Sequence, residues 1–333
     1  MMRLVNVSAR YDILTGYVEA VDNVNFEVRE NEILGIAGES GCGKTTLLKV
    51  MYDLIAYPLE LSQGRVEIET RNKNGDVEII KSGEISTAWW KHISYVPQGA
   101  MHVLNPVTKI ELQFFEAIKK HYKGISKAGL KKMIVDYLAE LELDPDVMGS
   151  YPHQLSGGMR QRVLIAMATI MSPEIILADE PTTALDVVVQ RGILTMLSDV
   201  QKLKKNSIVI VSHDMGVHYQ ITNRLGIMYA GQMIELGNTT DLFERPAHPY
   251  TRMLIDALPV IGDLKPREGI LGTPPSLKSP PIGCRFAVRC PYAKDMCSKE
   301  QPEVIDLGGG HNVMCHLVGK LPFHTVETKE VTA

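Results

Sequence analysis

The stretch GESGCGKTT, Gly38 to Thr46, limits the folds open to this chain more than any other. Before it, EILGIAG (Glu32 to Gly38) is a short apolar run ending in turn residues, which reads as a buried strand. After it, KTTLLKVMYDLI carries apolar residues at helical spacing. The pattern G-x-x-x-x-G-K-[ST] is met by Gly38, Gly43, Lys44 and Thr45, so a glycine-rich turn joins a strand to a helix. Such a turn binds phosphate for a physical reason. Backbone N–H groups of the loop, Ser40, Gly41, Cys42 and Gly43 among them, converge on anionic oxygens, and the helix N-terminus beginning at Lys44, Thr45 and Thr46 adds partial positive charge. Lys44 reaches the terminal phosphates, and the Thr45 hydroxyl is placed to ligate Mg²⁺. Cys42 reads as a small filler residue. Its alternative reading is a reactive thiol whose pKa the helix N-terminus would lower.

A nucleotide site also needs a carboxylate for the metal and a group that handles water. PEIILADEPTTALD (Pro173 to Asp186) offers both. Ile175 to Ala178 reads as a buried parallel strand, and Asp179 ends it where open α/β sheets place their ligands. Asp179 can hold Mg²⁺, directly or through water, and Glu180 beside it can act as general base on an attacking water. SIVIVSHD (Ser207 to Asp214) is a further apolar strand, with His213 at its polar end to contact the terminal phosphate and the water. HISYV precedes Gln98, whose residue type alone carries no claim.

LSGGMRQRVLIAMATI (Leu155 to Ile170) places Ser156, Gly157 and Gly158 before a long apolar helix. That is a second phosphate-binding device, about 110 residues from the first. One ATP does not need both from one chain. The second is expected to serve an ATP held by another subunit.

Taken in order, the phosphate loop, Gln98, LSGGM, ILADE, ALD (Ala184 to Asp186) and His213 resemble the ATP-binding subunits of ABC transporters over about residues 1 to 240. The resemblance implies a P-loop ABC-type α/β fold with a small antiparallel β part at the N-terminus. It also implies a head-to-tail dimer with ATP and Mg²⁺ between the loop of one subunit and the Ser-Gly-Gly of the other. Tyr11 would stack on adenine, Gln98 would ligate Mg²⁺ and sense the membrane partner, and Asp186 would act across the dimer interface. About 99 to 172 would be the helical subdomain that meets the membrane protein. Met159 departs from the commonest form of the signature, which ends in Gln. SGGMRQR, LNP after Gln98, PTTALDV and RPAHPYTRMLIDALP (Arg245 to Pro259) are similar to the oligopeptide/dipeptide importer branch, whose relatives also import nickel or gluco-oligosaccharides. The implied partners are a second, related ATPase, two transmembrane permeases and, indirectly, an extracytoplasmic solute-binding protein. The cargo is not encoded.

Beyond about residue 240 the composition shifts, and 241 to 333 is expected to be a C-terminal extension. REGILGTPPSLKSPPIG reads as an ordered loop. Cys284, Cys290, Cys297 and Cys315 follow with gaps of five, six and seventeen residues, not the paired spacing of a zinc ribbon. All-cysteine ligation fits an iron–sulfur cluster or zinc, with disulfides or no metal left open. The wide gaps and Pro291 lean toward a cluster, and so does the resemblance, since some members of the branch carry [4Fe–4S]. His311 and His316 are spare ligand candidates. The expected physical role is a staple, because this stretch is poor in apolar residues.

Composition narrows the alternatives. A formal net charge of −4 over 333 residues gives no general attraction to nucleic acid. The N-terminus lacks the apolar core of a secretory signal, and the longest apolar stretch is interrupted by Pro173 and Glu174. The expected place is the cytoplasmic face of the membrane, held by partners. A chromosome or DNA-repair ATPase would need a long heptad insertion, and a translation-associated ATPase usually carries two cassettes; this chain shows neither. VEIETRNKNGDVEII (Val66 to Ile80) reads as a hairpin turning at NKNGD.

Overall fold

The computed structural model describes residues 1–71, 75–99, 103–122, 125–258 and 269–322. Its centre is an eight-stranded sheet in the order β11-β12-β10-β9-β3-β8-β7-β6. The inner strands are β3 (Ile33–Ala37), β6 (Ile93–Val96), β7 (Ile175–Asp179), β8 (Ser207–Val211) and β9 (Arg224–Tyr229). They run parallel to one another. Every residue of β3, β7, β8 and β9 is buried, as expected for strands covered on both faces. The expected parallel core is therefore present. At one edge the sheet turns antiparallel through β10 (Gln232–Asn238), β12 (Asn312–Met314) and β11 (Val304–Asp306).

A second, antiparallel sheet has the order β2-β1-β4-β5. Its strands are β1 (Met2–Ile13), β2 (Gly16–Val28), β4 (Leu59–Arg71) and β5 (Val77–Lys81). The β4–β5 pairing, Arg71 opposite Val77, is the hairpin read from sequence; its tip, 72–74, lies outside the described residues. The helix Lys44–Met51 is sandwiched between the two sheets. Leu47, Leu48, Val50 and Met51 pack with Met2, Leu4 and Val66 on one side and Leu34, Ile36, Val209 and Val211 on the other. This helix is a turn shorter than its apolar spacing predicts, because Asp53 enters the left-handed region at φ 59 and its carboxylate accepts the Gly83 N–H.

On the opposite side of the sheet lie Ile110–Lys119, Lys127–Glu140, Gly157–Thr169 and Val187–Lys204. They share one apolar core with Val96, Ile176, Ala178, Ile208 and Ile210. The first three belong to the expected helical region.

The stretch after 240 does not stand apart from the rest. Tyr250 and Phe286, both essentially inaccessible, pack with Ala37, Leu225, Ile227 and Tyr229 of the inner strands. Phe286 meets the Tyr229 and Tyr250 rings edge-on, at centroid distances of 5.2 and 5.3 Å. Strand β12 pairs with β10, Arg285 bonds the Ala230 carbonyl and Asp22, and Glu235 accepts the Ala247 and His248 N–H groups. Strand pairing, aromatic packing and ion pairs therefore join this stretch to the core. The apolar surface it lacks for a core of its own is supplied by the inner strands. Among the described residues no helix is long and apolar enough to cross a membrane.

Candidate nucleotide site

The carboxyl ends of β3, β6, β7 and β8 carry, in turn, the loop from Gly38, Gln98, Asp179 with Glu180, and His213. Parallel strands deliver all four to one edge of the sheet, and this is why residues far apart in sequence meet there. They border a cleft of about 450 Å³ lined by Ser40, Gly41, Gly43, Lys44, Thr45, Thr46, Gln98, Glu180 and His213, with Tyr11, Val18, Ala20 and Leu277 as its apolar wall. A larger cavity, about 680 Å³, lies between β2, β10 and β12 and contains none of the residues singled out from sequence.

The loop keeps its shape through backbone geometry that side chains oppose. Gly43 caps the helix at φ 106, and a Cβ there would lie 2.1 Å from the Ala20 carbonyl oxygen. Lys44 is buried. Its ammonium donates to the carbonyls of Gly38 at 2.7 Å and Glu39 at 2.9 Å, and so closes the loop on itself. An incoming phosphate oxygen can replace these carbonyl partners. The Cys42 side chain is buried in the core beneath the loop, where its sulfur also accepts from the Lys44 ammonium at 3.7 Å. Burial raises its thiol pKa against the pull of Lys44. The expected lowering by the helix N-terminus is thus overturned, and Cys42 is the filler residue.

Thr45 Oγ1 donates to Asp179 Oδ1 at 3.1 Å, and the Tyr95 hydroxyl donates to Oδ2 at 3.0 Å. Burial pushes the Asp179 carboxyl above its usual range, against these two hydrogen bonds. A hydroxyl beside a carboxylate, with the Gln98 amide nearby, is a hard-oxygen donor set that fits Mg²⁺. Glu180 follows at φ 44, a left-handed conformation that non-glycine residues adopt mainly at strained sites. Its carboxylate accepts from Thr183 Oγ1 at 2.6 Å and Gln98 Nε2 at 3.2 Å, and lies 3.2 Å from His213 Nδ1. Burial works to raise its pKa, but the Thr183 and His213 hydrogen bonds and the nearby positive charges outweigh it, and the net shift is downward. Glu180 is therefore ionised at neutral pH and able to accept a proton.

Of the predicted residues, Tyr11 also reaches the cleft; its hydroxyl bonds Thr46 Oγ1 at 3.1 Å. Ser156, Gly157 and Gly158 do not line it. Ser156 is exposed, and its hydroxyl caps the helix by accepting the Met159 N–H at 3.2 Å. A Cβ on Gly158 would meet Val189 Cγ1 at 2.4 Å, so the glycine lets this helix end pack against Val187–Lys204. Asp186 caps that second helix through the Val189 N–H at 2.9 Å. Val187 and Val188 beside it are more than four-fifths exposed.

Sequence reading passed over several supporting groups. Tyr95 and Thr183 lay inside quoted motifs; the Tyr95 contact to Asp179 appears only once strands β6 and β7 are side by side, while Thr183 reaches Glu180 within one turn of the chain. Leu277 had no sequence signal: it reaches the cleft because its carbonyl accepts the Glu19 N–H of β2 at 2.9 Å.

The four C-terminal cysteines are free thiols. Cys284 donates its N–H to the Cys297 carbonyl at 2.7 Å. Burial raises the thiols of Cys284 and Cys290, and that of Cys315 to about 11, with the neighbouring cysteines adding to each. Among the described residues no three His, Cys, Asp or Glu converge tightly enough to hold a single ion. Four neighbouring sulfurs match an iron–sulfur group in donor chemistry alone. His311 and His316 are engaged elsewhere, with Glu235 at 2.8 Å and the Glu300 carbonyl at 2.9 Å.

A phosphate loop, an acidic strand end and a capped Ser-Gly-Gly helix turned away from that chain's own cleft define a P-loop ATPase of the ATP-binding-cassette class. Comparison with known proteins agrees and goes further. The ABC transporter family profile matches residues 21–183, and the profile for the oligopeptide/dipeptide transporter C-terminal region matches 234–297. The chain is 38% identical over 331 residues to the dipeptide transport ATP-binding protein DppD of Bacillus subtilis, covering 98% of this chain and 97% of that one. It is 36% identical over 319 residues to DppD of Caldanaerobacter subterraneus, covering 95% and 97%, and 35% identical over 323 residues to the oligopeptide transport ATP-binding protein OppD of Bacillus subtilis, covering 96% and 89%. The dimeric post-hydrolysis structure of the ATP-binding cassette MJ0796, bound to ADP and Pi, superposes with a TM-score of 0.61 at 28% identity, covering 72% of this chain and 99% of that one. The chain belongs to the ATP-binding subunits of oligopeptide/dipeptide ABC transporters.

Proposed function

We propose that this chain is the ATP-hydrolysing motor of an ABC importer of dipeptides or oligopeptides, peripheral to the cytoplasmic face of the membrane. The observation that carries the reading is the division of the site. The cleft at Lys44 holds one set of phosphate-binding groups, while the Ser156 helix end offers a second set that faces away from it. Two subunits placed head to tail would each close the other's cleft. The exposed Met159, Val187 and Val188 near that helix end suit burial in such a contact. The relatives named for dipeptide and oligopeptide transport support the cargo class.

Each residue then has a role. Lys44 and the loop N–H groups hold the triphosphate, and Tyr11 with Val18 and Leu277 flanks the base. Thr45, Gln98 and Asp179 would hold Mg²⁺, which supplies charge neutralisation on the phosphates when bound. Glu180 takes the proton of the attacking water, and His213 orients that carboxylate and contacts the terminal phosphate. Asp186, at its helix cap, acts across the dimer interface. ATP draws the two subunits together because its phosphates are shared by both. Hydrolysis breaks the shared contacts and releases the dimer.

The cassette is assigned to 1–240 and the extension to 241–333, with the helical subdomain, about 99–172, as the surface that meets the permeases. Val107 and Leu112 are exposed there, in the stretch that follows Gln98. The partner ATPase is a related but different chain, and two permeases and a solute-binding protein complete the importer. The four extension cysteines hold a [4Fe–4S] cluster.

Co-expression with its neighbouring permease genes and reconstitution in vesicles tests the reading. ATP turnover should rise when peptide and its binding protein are supplied. Stimulation by a sugar or nickel instead, with none by peptides, overturns the cargo assignment.

A further inference from the structure

Glu39 is the second residue of the phosphate loop, and three anchors fix it. Its carbonyl accepts the Lys44 ammonium at 2.9 Å and the Cys42 N–H at 3.3 Å. Its N–H donates to the Tyr250 hydroxyl at 3.0 Å. Its carboxylate is gripped at both oxygens by Arg289, Nη1 to Oε2 at 2.8 Å and Nη2 to Oε1 at 2.9 Å. Two of the three anchors, Tyr250 and Arg289, come from the C-terminal extension.

Arg289 is itself firmly held. Its side chain is 4% exposed and also donates to the Leu271 carbonyl at 2.9 Å, the Ile270 carbonyl at 3.0 Å and the Tyr229 hydroxyl at 3.2 Å. It ends the short 3₁₀ turn Ala287–Arg289, which lies between Cys284 and Cys290. A fork that bridges two carboxylate oxygens and two carbonyls is geometry that a guanidinium supplies and an ammonium does not.

We propose that Arg289 is a positioning residue for ATP binding, through which the cysteine-bearing turn sets the charge and shape of the phosphate loop. Two effects act together. The clamp fixes Glu39, whose carbonyl holds Lys44 and whose neighbours Gly38 and Ser40 begin the loop. It also neutralises a carboxylate that otherwise stands one residue from the cleft, where it repels an incoming triphosphate. Anything that reshapes the turn around Cys290 then changes ATP affinity without touching the nucleotide.

This inference rests on the loop being the ATP site, and the experiment keeps the two apart. The full-length chain and its Arg289→Gln, Glu39→Gln, double and Lys44→Ala variants are titrated with mant-ATP, well below each unfolding midpoint. Lys44→Ala should abolish binding. Arg289→Gln should raise the Kd on the order of tenfold, because an unpaired charge in a partly buried site is weakly screened. Adding Glu39→Gln to Arg289→Gln should return the Kd to within about threefold of wild type, since two coupled residues are not additive. A general loss of stability does not give such a rescue. If Arg289→Gln does not fold, Arg289→Met, which removes the charge and keeps a long apolar stem, is compared in the same way with and without Glu39→Gln. Wild-type affinity in Arg289→Gln, or a double variant no better than the single, overturns the proposal while Lys44→Ala still reports on the loop. Unchanged binding in Lys44→Ala overturns the ATP reading of the loop, and this inference with it.

Discussion

Replacing Glu180 with Gln isolates the proton-accepting step. The carboxylate accepts from Thr183 Oγ1 and Gln98 Nε2 and faces His213 Nδ1. In the amide, one oxygen can keep Thr183 while the new NH₂ turns toward His213, whose ring nitrogen can accept in the fitting tautomer. The shell therefore survives, at a folding cost of about 1 kcal/mol for the weakened charge-assisted bonds. The amide cannot take a proton. General-base catalysis contributes about 10²–10⁴-fold, so the barrier rises by about 3–5 kcal/mol. The assay is phosphate release by the assembled transporter at saturating MgATP, run beside nucleotide titration and light scattering. We expect near-normal ATP affinity, turnover reduced at least a hundredfold, and an ATP-stabilised dimer. Turnover within about threefold of wild type would remove Glu180 as base; loss of ATP binding would show the shell had collapsed. Because the Glu180 carboxyl is held below its usual range, any acid limb it imposes on wild-type turnover should lie lower than that of an ordinary glutamate.

Other expectations concern two buried histidines and the extension. Burial lowers the His248 and His218 pKa values to about 4, so the fold holds both neutral while the unfolded chain protonates them near pH 6.5. Their stability contribution is fully present above about pH 6.5 and drains away as pH falls toward about 4. His248→Asn keeps an acceptor for the Tyr250 N–H and removes one titration, so its thermal midpoint, lower than wild type at neutral pH, should approach wild type as pH drops through that window; a constant gap across pH would refute this. Chain purified without oxygen should be brown and contain iron and sulfide, with loss of both in Cys290→Ser; a colourless protein with stoichiometric zinc would refute the cluster.

The chemistry of the site was legible in the sequence because it is local. Gly38 to Thr46 had to be a phosphate loop, since a turn that binds phosphate through its own N–H groups needs glycine where a Cβ would strike backbone, as at Gly43. The buried runs before Asp179 and His213 announced parallel strands, and parallel strands put their carboxyl ends together. Even the helix N-terminus at Ser156 could be read, because it is written in three consecutive residues. What sequence could not give was contact between distant segments. Tyr95 on Asp179 and Leu277 at the cleft follow from strand register and chain path, not from any spacing in the chain. The extension is the clearest case. Read alone, its cysteines suggested a separate, stapled unit. Only the packed structure joins it to the nucleotide cassette, because Phe286 and Tyr250 find their apolar surface on β9 and Arg289 finds its carboxylate in the phosphate loop. Burial and ion pairing are decided by which surfaces meet, and that is a property of the fold.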